Sequence, residues 1–596
     1  MLIVILLWVY ALVLSYLAGL AGIRFLTWRL KPVNFQFPAL PLTCLVGLAL
    51  ISFGLQYFTF FTGIGAFVHL AVVALASIFT ITNFRFLGQA NQVYLARFST
   101  ISKPVFLLFF LTFSITLIRA TDAPTNYDSG LYHLQAIKWL EQYPVVPGLG
   151  NLHGRLAFNS LWFLPSAFFS PAYAGLAPVS ILNSFCFLLT MAFFLSGFIK
   201  TTGTRSFLGT LARLLLFGLI GLGIAGNSYS QLSSPGTDLL ALLLIPLILV
   251  LALDTVEDWE RGLSNLTTWV ILVLSIFLVL GKLSTLPILF VPFYFLLRAY
   301  QPGFARLFLL VSGLTFWSLP YFVRNIILSG YLVYPFPGLD LFNFDWKIPL
   351  AEVISEKNWI ESWARIPARD QAEVLSLPFG EWAQVWFTNQ SVLNKFLLIS
   401  LVALTVFHLA RFLFSYSRKT TVLNSYRPFW YLYLVMYLSV IYWFQTAPDF
   451  RFGYGFLISL LILLILPVAK INPAFLSKIR LKPAFLLGLV TWQVLFLALT
   501  LVLRPLQDVL TVPYGPEVVA LKSSVVREIT VYFPATGDQC WNSAIPCTPY
   551  YRAGLGLRDG TLSSGFTAYC KASNCIVPPG AQPDIPDTST WPHYLK

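Results

Sequence analysis

Fourteen long apolar stretches fix the class of this chain before any single residue is considered. They run over 2–22, 39–60, 64–84, 104–118, 178–199, 207–226, 237–253, 265–281, 284–299, 306–323, 392–413, 428–446, 452–469 and 484–503. Most are long enough to cross roughly 30 Å of hydrocarbon as a helix. Only 10% of the residues are charged, against roughly 25% in soluble domains. The expected fold is therefore an all-α polytopic membrane protein of about fourteen transmembrane helices, with the lipid bilayer as its first partner. The net charge of +14 is no nucleic-acid signal, because much of it sits in short loops, where Lys and Arg encode topology.

That encoding can be read. The connections after the first, third, fifth and later odd-numbered stretches each hold one to four Lys and Arg, among them Arg24, Arg29, Lys31, Arg85, Arg97 and Lys103. The short even-numbered connections hold almost none, so the odd side is expected in the cytoplasm. The first stretch has no basic residue ahead of it and three after it, the pattern of a retained span with its N-terminus outside rather than a cleaved signal peptide. The segment 157–175, AFNSLWFLPSAFFSPAYAG, is apolar enough for a fifteenth span. Counting it would invert every later loop and destroy the bias, so it is expected to be re-entrant or to lie at the outer surface, broken by Pro165 and Pro171. Asp254 to Arg261 is acidic yet falls inside, which the rule tolerates. The localisation expected is a multi-pass protein of the plasma (inner) membrane. Its parts are the first helices (1–118), an extracytoplasmic loop (119–177), a membrane core (178–503) with an outer loop (324–391), and an extracytoplasmic tail (504–596).

On this map the polar connections share the outer side. The richest is Thr121–Arg155, TDAPTNYDSGLYHLQAIKWLEQYPVVPGLGNLHGR. Asp128-Ser129 reads as a helix start, with either side chain able to cap free N–H groups. The helix that follows, to Glu141, has an apolar face of Leu131, Leu134, Ile137 and Leu140 and suits a membrane surface. Asp128 is either a capping residue or a functional carboxylate. His133 and His153 are candidate substrate contacts; five residues separate Asp128 from His133, which keeps the two from stacking on an α-helix. Tyr127, Tyr132, Trp139 and Trp162 could stack on sugar rings or simply crowd the interface. Elsewhere on the outer side Asp238 follows a Ser-Pro-Gly turn, Lys282 sits in a tight connection, Arg324-Asn325 ends a span, and Arg451 stands in PDFRFG. Three cations there suit a phosphate or diphosphate, with arginine giving bidentate contact; anchoring to lipid headgroups is the alternative.

The tail has a soluble composition. Val525–Phe533 reads as a β-strand. Cys540 and Cys547 are seven apart, Cys570 and Cys575 five apart. Four cysteines in a small extracytoplasmic α+β domain imply two disulfides. Three connectivities are open, local pairing being preferred, with a zinc site as the alternative. Cys44 and Cys186 lie within apolar stretches and read as small core residues.

Over roughly 104–470 the chain resembles the GT-C class of membrane glycosyltransferases. The resemblance rests on NYDSGLYH around Asp128, on RN…SGYLVYPFP from Arg324, and on PDFRFG around Arg451. It implies transfer of a sugar from a polyprenyl-phosphate or -diphosphate donor to a glycan, lipid or protein acceptor on the outer face. It implies Asp128 as the base toward the acceptor and Asp122 as a second acid; the polar residues of the outer connections, His133, His153, Asp238, Lys282, Arg324, Asn325 and Arg451, are with Asp122 the candidate substrate contacts. A divalent cation is a candidate cofactor. The chain departs from the class in placing three extra spans before the acidic loop and in separating its two acids by six residues. The CW…PC pattern of the tail resembles a group of bacterial membrane proteins without an assigned function. Two other readings stay open. A polysaccharide polymerase or ligase would use arginines such as Arg324, Arg365 and Arg369, and a lipid-linked glycan transporter would place ionisable residues at span centres, where this chain has almost none.

Overall fold

The structure is a computed structural model that describes residues 1–30, 35–198, 207–223, 228–259, 265–299, 304–417, 429–471, 483–503, 515–526, 528–550, 552, 554–570 and 575–576. The basic connections at 200–206, 260–264, 418–428 and 472–482, including position 202, lie outside the described residues.

Each of the fourteen apolar stretches carries helix. Among the described residues six helices are long and apolar enough to cross a membrane: Leu2–Arg29, Leu40–Phe58, Lys103–Ala120, Asp238–Val256, Val392–Phe414 and Phe450–Pro467. Ala66–Thr82 and Phe84–Ser99 form a pair bent by 88°, which brings the number to seven when counted as one span. Several other apolar helices, such as Leu182–Leu195, are shorter. The chain is thus a multi-pass helical membrane protein. Asp238–Val256 is 89% buried and forms the axis of the bundle, whereas Val392–Phe414 is 6% buried and presents Phe396, Ile399, Val402 and Val406 outward. That outward face is apolar and exposed, which fits a lipid-facing position, while the other side of the helix meets Phe450–Ile471, Tyr454 Oη donating to Asn394 Oδ1 at 2.7 Å.

The closest helix contact explains two glycines. A Cβ on Gly47 would lie 1.7 Å from the Ser15 carbonyl oxygen, and one on Gly19 would lie 2.0 Å from that of Thr43. Small residues allow the backbones of Leu2–Leu30 and Leu40–Phe58 to touch, the usual solution where lipid removes any hydrophobic drive between helices. Deeper in the bundle Asp254 pairs with Arg213, whose Nη1 donates to Oδ1 at 3.2 Å. A partner on a neighbouring helix thus neutralises the acid that stood out in the charge pattern.

The segment 157–175 forms short pieces, Gly154–Ala157, Phe163–Phe168 and Pro171–Ala174. The longest, six residues, rises about 9 Å and cannot span. Most of the segment is buried: Trp162, Phe168 and Phe169 are in the core and Leu161 N–H donates to the Leu280 carbonyl at 2.9 Å, whereas its end, from Tyr173 to Gly175, is exposed. Pro171 opens a turn as expected, but Pro165 sits in the first turn of its helix, where a missing N–H costs nothing.

The tail differs from a single strand at 525–533. Leu521–Val526 and Ile529–Pro534 pair antiparallel with Val526 opposite Ile529, and Glu528 takes φ 68° in the turn. The disulfides are Cys540–Cys547 and Cys570–Cys575. Cys44 and Cys186 are buried and free. The tail packs between the 119–156 loop, where Gln135 Nε2 donates to the Trp541 carbonyl, and the outer loop, where Arg558 pairs with Asp345 and Arg552 with Glu352.

Candidate functional site

The site begins at the start of the helix in the 119–156 loop. Asn126, not Asp128 or Ser129, caps it: the Asn126 side-chain oxygen accepts from Asp128 N–H at 2.9 Å, and its carbonyl accepts from Ser129 N–H at 2.9 Å. Asp128 makes no side-chain cap bond, so its carboxylate is free to face elsewhere. The next turn, Ser129–His133, is a π-turn, and Leu134 N–H reaches the Ser129 carbonyl. Such i→i+5 turns re-register a helix and often mark functional sites. His133, five residues on, lies within the electrostatic reach of Asp128.

The Asp128 carboxylate lies between two arginines. Oδ1 meets Arg155 Nη1 at 3.3 Å and Oδ2 meets Arg451 Nη1 at 3.4 Å. Tight charged pairs run at about 2.7–2.9 Å, so Asp128 is oriented without being saturated. Arg155 extends the network to Glu356 at 3.2 Å. Burial opposes its charge, but Glu356, Tyr132 and Asp128 outweigh that and raise the Arg155 pKa above the ordinary arginine value. Arg451 extends it the other way, with Nε on Asp449 at 3.0 Å and Nη1 4.0 Å from Asp238. Asp238, at the start of its helix, pairs with Lys282. Lys282 Nζ and the Arg451 guanidinium both lie over the Phe452 ring, at 4.2 and 5.4 Å from its centroid. The seven groups are four carboxylates and three cations, formally one negative charge in excess. An incoming phosphate must therefore displace a carboxylate rather than fill a vacant cation.

Beside this network opens a cavity of about 510 Å³. Arg451 and Asp449 stand in its wall with Asn126, Tyr127, Trp363 and Arg365, and further Asn, Gln and aromatic side chains complete it. Amides beside aromatic rings give both hydrogen-bonding groups and flat apolar faces.

Of the residues expected at a site, Asp128, Asp238, Lys282 and Arg451 meet. Arg324 does not join them: it is buried, donates to Asn159 Oδ1 at 3.0 Å and to Thr59 Oγ1, and borders a separate small cavity. Asn325 is buried beside it. Asp122 pairs with Arg119 at 3.4 Å. His133 is buried against Tyr132 and Phe163. His153 packs edge-on to Tyr550 at 5.1 Å, behind Arg155. Tyr127 borders the cavity, whereas Trp139 and Trp162 are core residues. Among the described residues no group of three His, Cys, Asp or Glu is placed to hold a metal ion.

Arg155, Glu356 and Asp449 are site residues that sequence reasoning passed over. Asp449 had a signal, standing two residues before Arg451 in the same motif. Glu356 had none, being one of several acids on a polar helix.

No curated protein and no solved structure gives a match to the chain. The profile of a family described as a domain of unknown function (DUF8201) matches residues 1–458, which takes in the network from Asp128 to Arg451 and leaves out the tail, and the chain belongs to that family.

Proposed function

We propose that the protein is a GT-C-like membrane glycosyltransferase. It moves a sugar from a polyprenyl-phosphate or -diphosphate donor to an envelope glycan, lipid or protein acceptor at the outer face of the membrane. The observation that carries the reading is the meeting of Asp128, Asp238, Lys282 and Arg451, from four separate connections, beside one polar, aromatic-lined cavity. The donor phosphate takes the Arg451 guanidinium, the most exposed cation of the network at 38%, away from Asp128. Asp128 stays oriented by Arg155. The acceptor hydroxyl gives its proton to the Asp128 carboxylate, and its oxygen bonds to the anomeric carbon. The bond from that carbon to the phosphate oxygen breaks, and the lipid phosphate leaves with the electron pair. In-line attack inverts the anomeric centre.

Arg324 has no direct part in this scheme. Arg365, which borders the cavity, keeps the polymerase or ligase reading as a variant of the same chemistry, with a second glycan as acceptor. Comparing envelope glycans by mass spectrometry with and without the gene identifies the product. Asp128→Asn is expected to lower transfer by about 10²–10⁴-fold while the protein still folds and binds the lipid donor. Arg451→Ala is expected to weaken donor binding, with Arg451→Lys restoring it only in part. Full transfer by the Asp128→Asn protein would remove Asp128 as the base, and envelope glycans unchanged by loss of the gene would remove the reading.

A further inference from the structure

Helix Leu350–Arg365 carries two tryptophans one turn apart on an outward side. Trp359 is 44% exposed and Trp363 is 41% exposed. Their rings are near parallel, with centroids 5.9 Å apart and planes inclined by 24°. Tryptophan is a large apolar surface to leave in the open, and such residues in a row usually await a ligand. Trp363 also borders the cavity that Arg451 and Asp449 line. The strip therefore runs from the outside of the protein, Trp359 first, into the candidate site.

What would cover the strip follows from its flanks. Glu356, one turn before Trp359 on the same side, holds Arg155 at 3.2 Å, and Trp363 shares the cavity wall with Arg365, Asn389 and Gln390. Charges within one turn of each tryptophan make burial of this face in hydrocarbon costly. A pyranose ring meets both demands. Its C–H face packs on an indole, and its equatorial hydroxyls meet the charged and amide groups at the rim. Together the two rings, with centroids 5.9 Å apart, make an apolar face longer than one indole, which suits a chain of sugar units.

We propose that Trp359 and Trp363 form a platform for at least two consecutive sugar residues of a glycan chain that enters the cavity, so that one substrate is an oligosaccharide rather than a monosaccharide. The proposal deepens the glycosyltransferase reading and rests on it for the nature of the ligand, but not on the identity of the base. The test uses the full-length protein in nanodiscs and a panel of soluble neutral, amino and uronic-acid oligosaccharides of one to six residues. Binding is expected to strengthen from one residue to three in at least one series. Trp359→Ala is expected to weaken binding of the longer chains about 2–12-fold, the size of one lost stacking contact, and to leave the single sugar unchanged. A Trp359→Phe protein should keep most of the affinity, which separates lost stacking from misfolding. Absence of chain-length dependence in every series overturns the proposal, as does equal binding by the wild type and the Trp359→Ala, Trp363→Ala protein. So does quenching of these two indoles by nitroxide-labelled lipid, which would put them in the bilayer. An Asp128→Asn protein that still transfers sugar but binds chains through Trp359 would sink the base assignment and leave the platform standing.

Discussion

Glu141 and His133 lie on one short helix turn and its continuation, and burial acts on them in opposite directions. Burial pushes the Glu141 carboxyl up to about 7, against Ser170 and Lys138, which lower it. Between its ordinary value of about 4.5 and that point the folded protein holds a proton that the unfolded chain releases. Glu141 therefore makes stability fall as pH rises through this window and adds nothing further above it. Burial pushes the His133 imidazole down to about 4, although Asp128 and Asp238 raise it. Its contribution is complete above about 6.5, the ordinary histidine value, and is lost as pH falls toward 4. The two slopes oppose each other between about 4.5 and 6.5. Glu141→Gln should leave the histidine slope alone, so that melting temperature rises with pH across that window and exceeds the wild type at pH 8. Thermal melts of both proteins in one lipid system check this, and identical pH profiles would refute it. Neither shift was legible in the sequence. Glu141 reads there as the polar side of an amphipathic helix, and only the packing of Ser170 and of the 59–65 connection against the end of that helix buries it. Asp128 was legible as a choice between cap and functional carboxylate. Asn126, two residues earlier, takes the cap, which leaves the Asp128 carboxylate to Arg155 and Arg451.

At the scale of elements, apolar runs gave the helices, because hydrocarbon tolerates almost no other backbone. Local departures from regularity were invisible. The π-turn at Ser129–His133 and the division of 525–533 by a turn depend on what each segment packs against, not on its own periodicity. Gly47 was likewise one glycine among many in the apolar runs, yet it is where two helices touch. Gly47→Ala places a methyl 1.7 Å from the Ser15 carbonyl oxygen, and backbone cannot swing aside as a side chain can. The helices must separate, at a cost of about 1–3 kcal/mol typical of overpacking. Gly54, on the same helix, has open space where a methyl would stand, with nothing within 4 Å, and Gly54→Ala should be neutral or stabilising by up to about 1 kcal/mol. Opposite shifts of the two variants in a thermal scan are expected; equal shifts would mean that the contact carries no particular weight.

For the whole molecule, charge bias grouped the polar connections on one side, but nothing in the sequence says which of them meet. Glu356 and Arg155 are 201 residues apart, Arg451 and Asp128 323 apart, and Arg324 carried the same signal as Arg451 yet points elsewhere. The tail is the clearest long-range case, since it fastens the helix that bears Asp128. Trp541 N–H donates to the Gly130 carbonyl at 2.8 Å, and a Cβ on Gly130 would strike the Trp541 ring at 2.5 Å. Gln135 Nε2 donates to the Trp541 and Ser543 carbonyls at 3.1 and 3.0 Å, and Lys138 Nζ to those of Asn542 and Ser543 at 3.0 Å. All three accepting residues lie between Cys540 and Cys547, a closure of seven residues that restricts the unfolded loop by about 2–3 kcal/mol. The second bridge, Cys570–Cys575, sits instead by the strand pair that holds the 147–151 turn, where Phe566 N–H donates to the Pro147 carbonyl at 3.0 Å. Replacing Cys540 and Cys547 by serine should therefore raise amide exchange over 127–142 and lower transfer, with the bundle helices unchanged. Replacing Cys570 and Cys575 should raise exchange around 147–151 and affect 127–142 less. The separation is the informative result. If both variants loosen both segments equally, the tail is a single lid whose bridges only keep it folded, and the Cys540–Cys547 loop has no particular role in orienting Asp128.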